Sequence, residues 1–219
     1  MSSIVVLIGG AKGGSTKTTT SHSVCLGASL HNVPAVCVVT DPERKVRGEG
    51  RPYGVLDGRL PDQLARILTL SKDLMSHGWT IVDGAGNRPE VDKVVSEVAD
   101  LVVIPFRPSE EDVDTVGKDL NRLPNAFAWP SAWPVNAHAE RAAAFLIQGL
   151  ELQFPGRVLR PPIPFVNSVG DLLAAELTSP STPTRTLAKH AFQTLRDKYQ
   201  QLHGGESPKE TEGTAAVSA

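Results

Sequence analysis

Only two cysteines, Cys25 and Cys37, occur in the 219 residues. Two thiols cannot build a disulfide framework. Both fall in segments predicted as helix and strand, so they read as buried, reduced thiols of a cytosolic protein. No apolar run approaches the length of a membrane span. The first apolar run, Ile4 to Ile8, has no basic region before it and passes straight into glycines, which argues against a secretory signal. Neither sign of charge dominates. A net charge of −2 gives no overall pull toward nucleic acid or membrane, so any such contact must come from a local patch. The six histidines are scattered without metal-ligand spacing. No Ser/His/Asp or Cys/His set emerges.

What the chain does have is alternation. Short apolar runs, Ile4–Ile8, Ala35–Val39, Trp79–Asp83, Leu101–Pro105 and Ala126–Trp129, with a weaker sixth at Arg157–Ile163, are separated by helix-period stretches. Leu64, Ile67, Leu68 and Met75 recur at helical spacing, as do Val91, Val94, Val95 and Val98, and Val113, Val116, Leu120 and Leu123. Ser109 with Asp112 forms a cap pair before the last of these. Asn136 is placed to cap another helix, with Ala139, Ala143, Leu146, Ile147 and Leu150 as its core stripe. Continuous apolar strands between amphipathic helices predict an α/β fold, a mostly parallel sheet covered by helices on both faces. The length suits one such domain, residues 1–204, followed by a polar Gly/Ser/Thr/Glu/Ala tail, 205–219, expected to be disordered. The charged, glycine-rich segment from Asp41 to Gly58 is expected to be mobile.

Between the first strand and the first helix stands Gly10-Ala11-Lys12-Gly13-Gly14-Ser15-Thr16-Lys17-Thr18-Thr19. Strand, glycine-rich turn, Lys-Thr, helix is the layout of a phosphate-binding loop. Its backbone N–H groups converge on phosphate oxygens and the helix N-terminus adds partial positive charge. The common pattern G-x-x-x-x-G-K-S/T fails here, because Ala11 and Thr16 stand where glycines are required. What fits is the deviant form K-G-G-x-x-K-S/T, Lys12 to Thr18. If Thr16 needs a positive φ, its β-branched side chain costs about 1–2 kcal/mol.

These residues resemble the ParA/MinD family of deviant Walker ATPases. The likeness extends beyond the loop. Ile81-Val82-Asp83-Gly84 resembles the Walker B strand. Ala99-Asp100-Leu101-Val102-Val103-Ile104-Pro105 with Pro108-Ser109 resembles the strand that ends in proline near the nucleotide base. Val38-Val39-Thr40-Asp41-Pro42-Glu43 sits where the family has D-x-D-P-Q. The landmarks run in the family's order over residues 4 to 108, and the short chain looks most like compact plasmid-partition ParA proteins without an N-terminal DNA-binding domain. The resemblance implies a P-loop NTPase with ATP and Mg²⁺ as cofactors. Nucleotide contacts would come from Lys12, Gly13, Gly14, Ser15, Thr16, Lys17, Thr18 and Thr19, with Pro105 and Arg107 near the base. Thr18 and Asp83 would serve the metal. Lys12, Lys17 and Asp41 would carry catalysis, with Lys12 reaching across a dimer interface to the partner's phosphates.

Asp41 is open between a metal and a water-orienting role. The family's first acid in that segment is Val39 here and its glutamine is Glu43, so slow hydrolysis stimulated by a partner is expected. Arg44, Lys45, Arg47 and Arg51 read equally as a solvated loop or as a nucleotide-sensing switch. On a helix from about Thr184 to Leu202, Leu187, Ala191, Leu195 and Leu202 share a face beside Arg185, Lys189 and Arg196. The resemblance makes these three cations a candidate for non-specific DNA contact, which is sequence-blind and salt-sensitive. Trp129 and Trp133 flank prolines and are read as packing a loop rather than as a docking patch.

The leading expectation is therefore an ATP-dependent, dimerising positioning or partition protein. It would be cytoplasmic and nucleoid-associated in a bacterium, with a ParB-like or other stimulating adaptor. The alternatives are a P-loop metabolic ligase of the dethiobiotin or cobyrinate type and an ATP-binding regulator with little hydrolysis. An iron–sulfur carrier is excluded by the cysteine positions, and a MinD-like membrane switch by the polar C-terminal tail.

Overall fold

The computed structural model describes residues 3–14, 16–74, 77–86 and 88–204. Ser15, Met75 and the tail 205–219 lie outside the described residues. The chain runs β1 (Ile4–Ile8), α1 (Lys17–Leu30), β2 (Ala35–Val39), β3 (Gly54–Asp57), α2 (Pro61–Leu74), β4 (Trp79–Asp83), α3 (Pro89–Ser96), β5 (Leu101–Phe106), α4 (Glu110–Arg122), β6 (Ala126–Pro130), α5 (Ala137–Gln153), a 3₁₀ helix (Asn167–Leu173) and α6 (Thr182–His203). The six strands form one parallel sheet in the order β3-β2-β4-β1-β5-β6.

Period-two alternation along each strand divides the core between the two faces. Val6, Ile8, Cys37, Ile81, Val103 and Trp129 point to the side covered by α1 and α6. Val5, Leu7, Val38, Val82, Val102 and Ile104 point to the side holding Leu64 of α2, Val116 and Leu120 of α4, and Ile147 and Leu150 of α5. Both faces are dry, which is why these strands are apolar at consecutive positions.

The helix α1 is buried over most of its surface although it is rich in serine and threonine. Its three serine hydroxyls bond within the helix: Ser21, Ser23 and Ser29 donate to the carbonyls of Lys17, Thr19 and Cys25 one turn back. It packs against α6 so closely that a Cβ on Gly27 would lie 2.0 Å from the Ala188 carbonyl oxygen. The two expected caps are present, Ser109 accepting from the Asp112 N–H and Asn136 from the Ala139 N–H. Cys25 and Cys37 are buried free thiols. Among the described residues, no helix is long and apolar enough to cross a membrane.

Four expectations are corrected. The segment 41–58 contains the edge strand β3, which its charge and glycines concealed. It is also tied down, because the Arg47 and Arg51 guanidiniums donate to the carbonyls of Leu172, Leu173 and Ala174 at the end of the 3₁₀ helix. Arg157–Ile163 is not a strand. Pro161, Pro162 and Pro164 lack N–H groups, and the described residues show isolated bridges, Val158 with Ala128 and Pro164 with Trp133, in place of a ladder. Of the valine stripe, Val95 of α3 is buried, but Val94 is 63% exposed and Val98, two residues past the end of α3, is 44% exposed. On α6, Leu187, Ala191 and Leu195 are buried, but Leu202 is 46% exposed.

Gly27→Ala is expected to lower the free energy of unfolding by about 1–3 kcal/mol, the usual cost of overpacking where backbone cannot yield. Urea denaturation of the two proteins measures it, and an unchanged midpoint would contradict the close α1–α6 contact.

Candidate functional site

The parallel register brings the carboxyl ends of β2, β4 and β1 to one level: Ile8 lies beside Asp83, and Val39 beside Asp83 on its other flank. Everything that follows these strands therefore emerges on one rim, the usual ligand side of such sheets. The loop 9–16 leaves β1 there. Gly10 and Gly14 have φ of 119° and 73°, and a Cβ on Gly13 or Gly14 would meet nothing within 4 Å, so this stretch of backbone faces open space. Thr16, the residue before α1, is left-handed with φ 68°, the strained geometry that its β-branch makes costly. Its Oγ1 lies 2.6 Å from Ser131 Oγ, which also donates to the Phe106 carbonyl, so the strained residue is tethered to the end of β6.

Lys17 opens α1 and is buried, its Nζ donating to the Lys12 carbonyl at 2.6 Å. Burial lowers its pKa, while Asp92, Asp83, Asp119 and Asp41 pull the other way. Gly86 leaves room for it, since a Cβ there would sit 2.9 Å from Nζ. Asp83, at the end of β4, is 1% exposed. Its Oδ1 accepts from Ser21 Oγ at 3.1 Å and its Oδ2 has no hydrogen-bond partner. Burial pushes its carboxyl up to about 6, against the pull of the neighbouring hydroxyls and of Lys17. An orphaned, dry carboxylate oxygen beside a helix-opening Lys-Thr pair fits a divalent cation. Asp41 lies half-buried on the same rim, its Oδ1 accepting from the Glu43 N–H and its Oδ2 3.7 Å from Arg44.

Lys12 points the other way, to α4. Its ammonium bonds Asp112 and lies 3.0 Å from Glu111, and these two acids raise its pKa, Asp112 first. Asp112 also accepts from the Arg107 N–H. A cavity of about 420 Å³ opens beside the loop, between Thr16, Thr19, Thr20 and Ser23 on one side and Arg107, Ser131 and Ile163–Val166 on the other. Arg107 lines it. Pro105 does not; it is buried in β5 next to a much smaller recess near Lys12. The segment 163–166 and Ser131 were not identified from sequence, because they carry no motif and reach the site only through the fold.

Of the α6 cations, Lys189 and Arg196 lie toward the far end of α1, whereas Arg185 is two residues from Leu187, which lines the cavity beside the loop. Lys189, with Lys198, Arg160, His31 and His190, lines a groove of about 630 Å³, and Lys189 and Arg185 share a second opening. Lys189 and Arg196 both bear electrostatically on His31 at the end of α1. Fourteen residues of helix, about 20 Å, separate His31 from the loop. Trp129 is buried with its Nε1 donating to the Pro161 carbonyl, and Trp133 stacks under Arg160, so both pack as expected.

No protein-family sequence model matches this chain, and no curated protein sequence does. Solved structures do. A McdA variant of Cyanothece in complex with ATP superposes with a TM-score of 0.63 at 16% identity, over 89% of this chain and 96% of that one. The MinD cell division protein of Aquifex aeolicus gives 0.64 at 14%, over 94% and 99%. The chain shares the fold of these two proteins. Cobyrinic acid a,c-diamide synthase of Mycobacterium smegmatis, bound to ADP and magnesium, shares it with a TM-score of 0.64 at 16% identity, over 94% and 98%.

The raised carboxyl of Asp83 carries a sign. Its folded pKa, about 6, exceeds the ordinary 3.8, so the folded state binds the proton more tightly and loses stability as pH rises from about 4 to 6. Above that window the ionised group costs about 2–3 kcal/mol. D83N is therefore expected to melt higher than the wild type at pH 7.5, with the gap closing toward pH 4. A lower midpoint at pH 7.5 would show that Asp83 is a fold-stabilising group instead.

Proposed function

We propose that the chain is a nucleotide-switched positioning ATPase of the partition type, binding Mg²⁺-ATP at the loop 10–19. The observation that carries this is the convergence, on one rim, of the open Gly13-Gly14 turn, the buried Lys17 ammonium and the dry, half-satisfied Asp83 carboxylate. The ParA/MinD-type fold supports it, as do the ATP and the ADP with magnesium in the McdA and cobyrinic acid synthase structures.

Lys17 would exchange the Lys12 carbonyl for phosphate oxygens, and the loop amides, Ser15 included by its place in the motif, would share the remaining charge. Thr18 and Asp83 are the residues that would hold Mg²⁺, which supplies charge neutralisation of the triphosphate when bound. The base would enter the cavity beside Thr16, Thr19 and Arg107. Asp41 is the carboxylate left to orient water or metal, and with Val39 beside Asp83 the hydrolysis is expected to be slow until a partner adds to the site. Lys12 is the residue that would cross to a second subunit. To do so it must leave Asp112 and Glu111, so closure of the dimer competes with an ion pair within the subunit. Non-specific duplex DNA would lie along Arg185, Lys189 and Arg196, and an adaptor protein would supply the cargo.

A second reading, a P-loop ligase acting on a small carboxylate, rests on the likeness to the cobyrinic acid synthase. One experiment separates the two. Dimerisation and binding to arbitrary duplex DNA are followed with ATP, ADP or no nucleotide, at two salt concentrations. The proposal expects ATP-specific dimers, DNA affinity that falls steeply with salt, and loss of both in K12A with ATP affinity retained. Turnover of a small carboxylate with no ATP effect on DNA would support the ligase instead.

A further inference from the structure

Two buried carboxylates that the motif reading did not single out grip the start of the loop. Asp92 of α3 accepts from the Gly10 N–H at 2.9 Å, and Asp119 of α4 accepts from the Ala11 N–H at 2.8 Å. They are 1% and 4% exposed. Both reach the loop from behind, from the helices that follow β4 and β5. Arg122 joins their supports: it donates to Asp119 Oδ1 at 2.9 Å and to the carbonyl of Pro89, the first residue of α3, at 3.2 Å.

The surrounding glycines are shaped to this arrangement. A Cβ on Gly9 would sit 2.9 Å from Asp92 Oδ2, and one on Gly84 would sit 2.6 Å from Oδ1. A Cβ on Gly10 would meet Ile104 at 2.7 Å and Asp119 at 3.4 Å. Gly9 and Gly84 thus make room for the Asp92 carboxylate rather than for a phosphate. Resting on the nucleotide reading above, we propose that Asp92 and Asp119 are positioning residues of that site: by holding the Gly10 and Ala11 N–H groups they fix the turn from which the following amides are presented.

Stability alone is a poor reason to keep Asp92. Its Oδ1 has no hydrogen-bond partner, and burial pushes the carboxyl up to about 6 despite the Gly10 N–H, Lys17 and Arg122, with Asp119 adding to the rise. A buried charge with one oxygen unsatisfied weakens a fold at neutral pH. Residues retained at such a cost are characteristic of functional sites.

The test is Mg²⁺-ATP affinity by calorimetry, together with thermal midpoints, for the full-length wild type, D92A, D119A, D92N and D119N. Each alanine variant is expected to weaken ATP binding about tenfold or more, the size of effect usual for supporting residues around a site. The asparagine variants keep a carbonyl oxygen to accept the amide and are expected to recover most of the affinity, with D92N melting at or above the wild type. Wild-type affinity in all four variants overturns the proposal. So does a loss that merely tracks a falling midpoint, or one that asparagine does not restore. A wild type that takes up no ATP overturns the nucleotide reading itself, and this inference with it.

Discussion

The arrangement depends on keeping an ammonium and several carboxylates dry at the end of a parallel sheet. Lys17, Asp83, Asp92 and Asp119 are all buried, and of the three carboxylates Asp119 is paired with an arginine, Arg122. Lys17 rests on a carbonyl, and Asp83 and Asp92 each leave one oxygen unsatisfied. The rest of the molecule compensates. Two dry sheet faces and an unusually buried α1 supply the apolar stabilisation that lets the rim hold charge in an unfavourable state. The proposed Mg²⁺-nucleotide would answer two of these groups directly, its phosphates the Lys17 ammonium and its cation the Asp83 carboxylate.

The loop shows the same tension in its backbone. Thr16 takes the conformation that glycine adopts freely, and Ser131 holds its hydroxyl. A glycine would remove the strain and also the link to the end of β6. That link connects the loop to the wall of the 420 Å³ cavity, which Ser131 and Thr16 line together. A departure from the common loop pattern is thus matched by a tertiary contact.

Much of the architecture was legible in the residue pattern, because a doubly covered parallel sheet writes itself as apolar runs between helical periods. The five clear runs are strands, with ends within one residue of those expected. The signal failed where pattern and environment part. β3 is an edge strand with a polar sequence, Arg157–Ile163 is apolar but broken by prolines, and Val94 and Val98 have helical spacing although the eight-residue α3 buries one narrow face and ends before Val98. In the candidate site, the motif named Lys17, Thr18 and Asp83, residues whose proposed roles are marked by local sequence. Asp92 and Asp119 had no such mark. An aspartate on an otherwise ordinary helix looks solvated until the fold turns it under a glycine turn some eighty or a hundred residues away.

The missing acid on β2 follows from the same charge balance. Val39 lies in register with Asp83 and is 3% exposed. A carboxylate there would stand beside one that burial already holds near 6, in a rim where three buried aspartates surround one buried lysine. With Asp92 and Asp119 committed to the loop, the rim has little capacity for another buried negative charge. Asp41, two residues on, is half-buried, with its Oδ2 3.7 Å from Arg44. Val39 thus spares the rim a fourth buried carboxylate, and the nearest acid of this segment, Asp41, stands at its more exposed end.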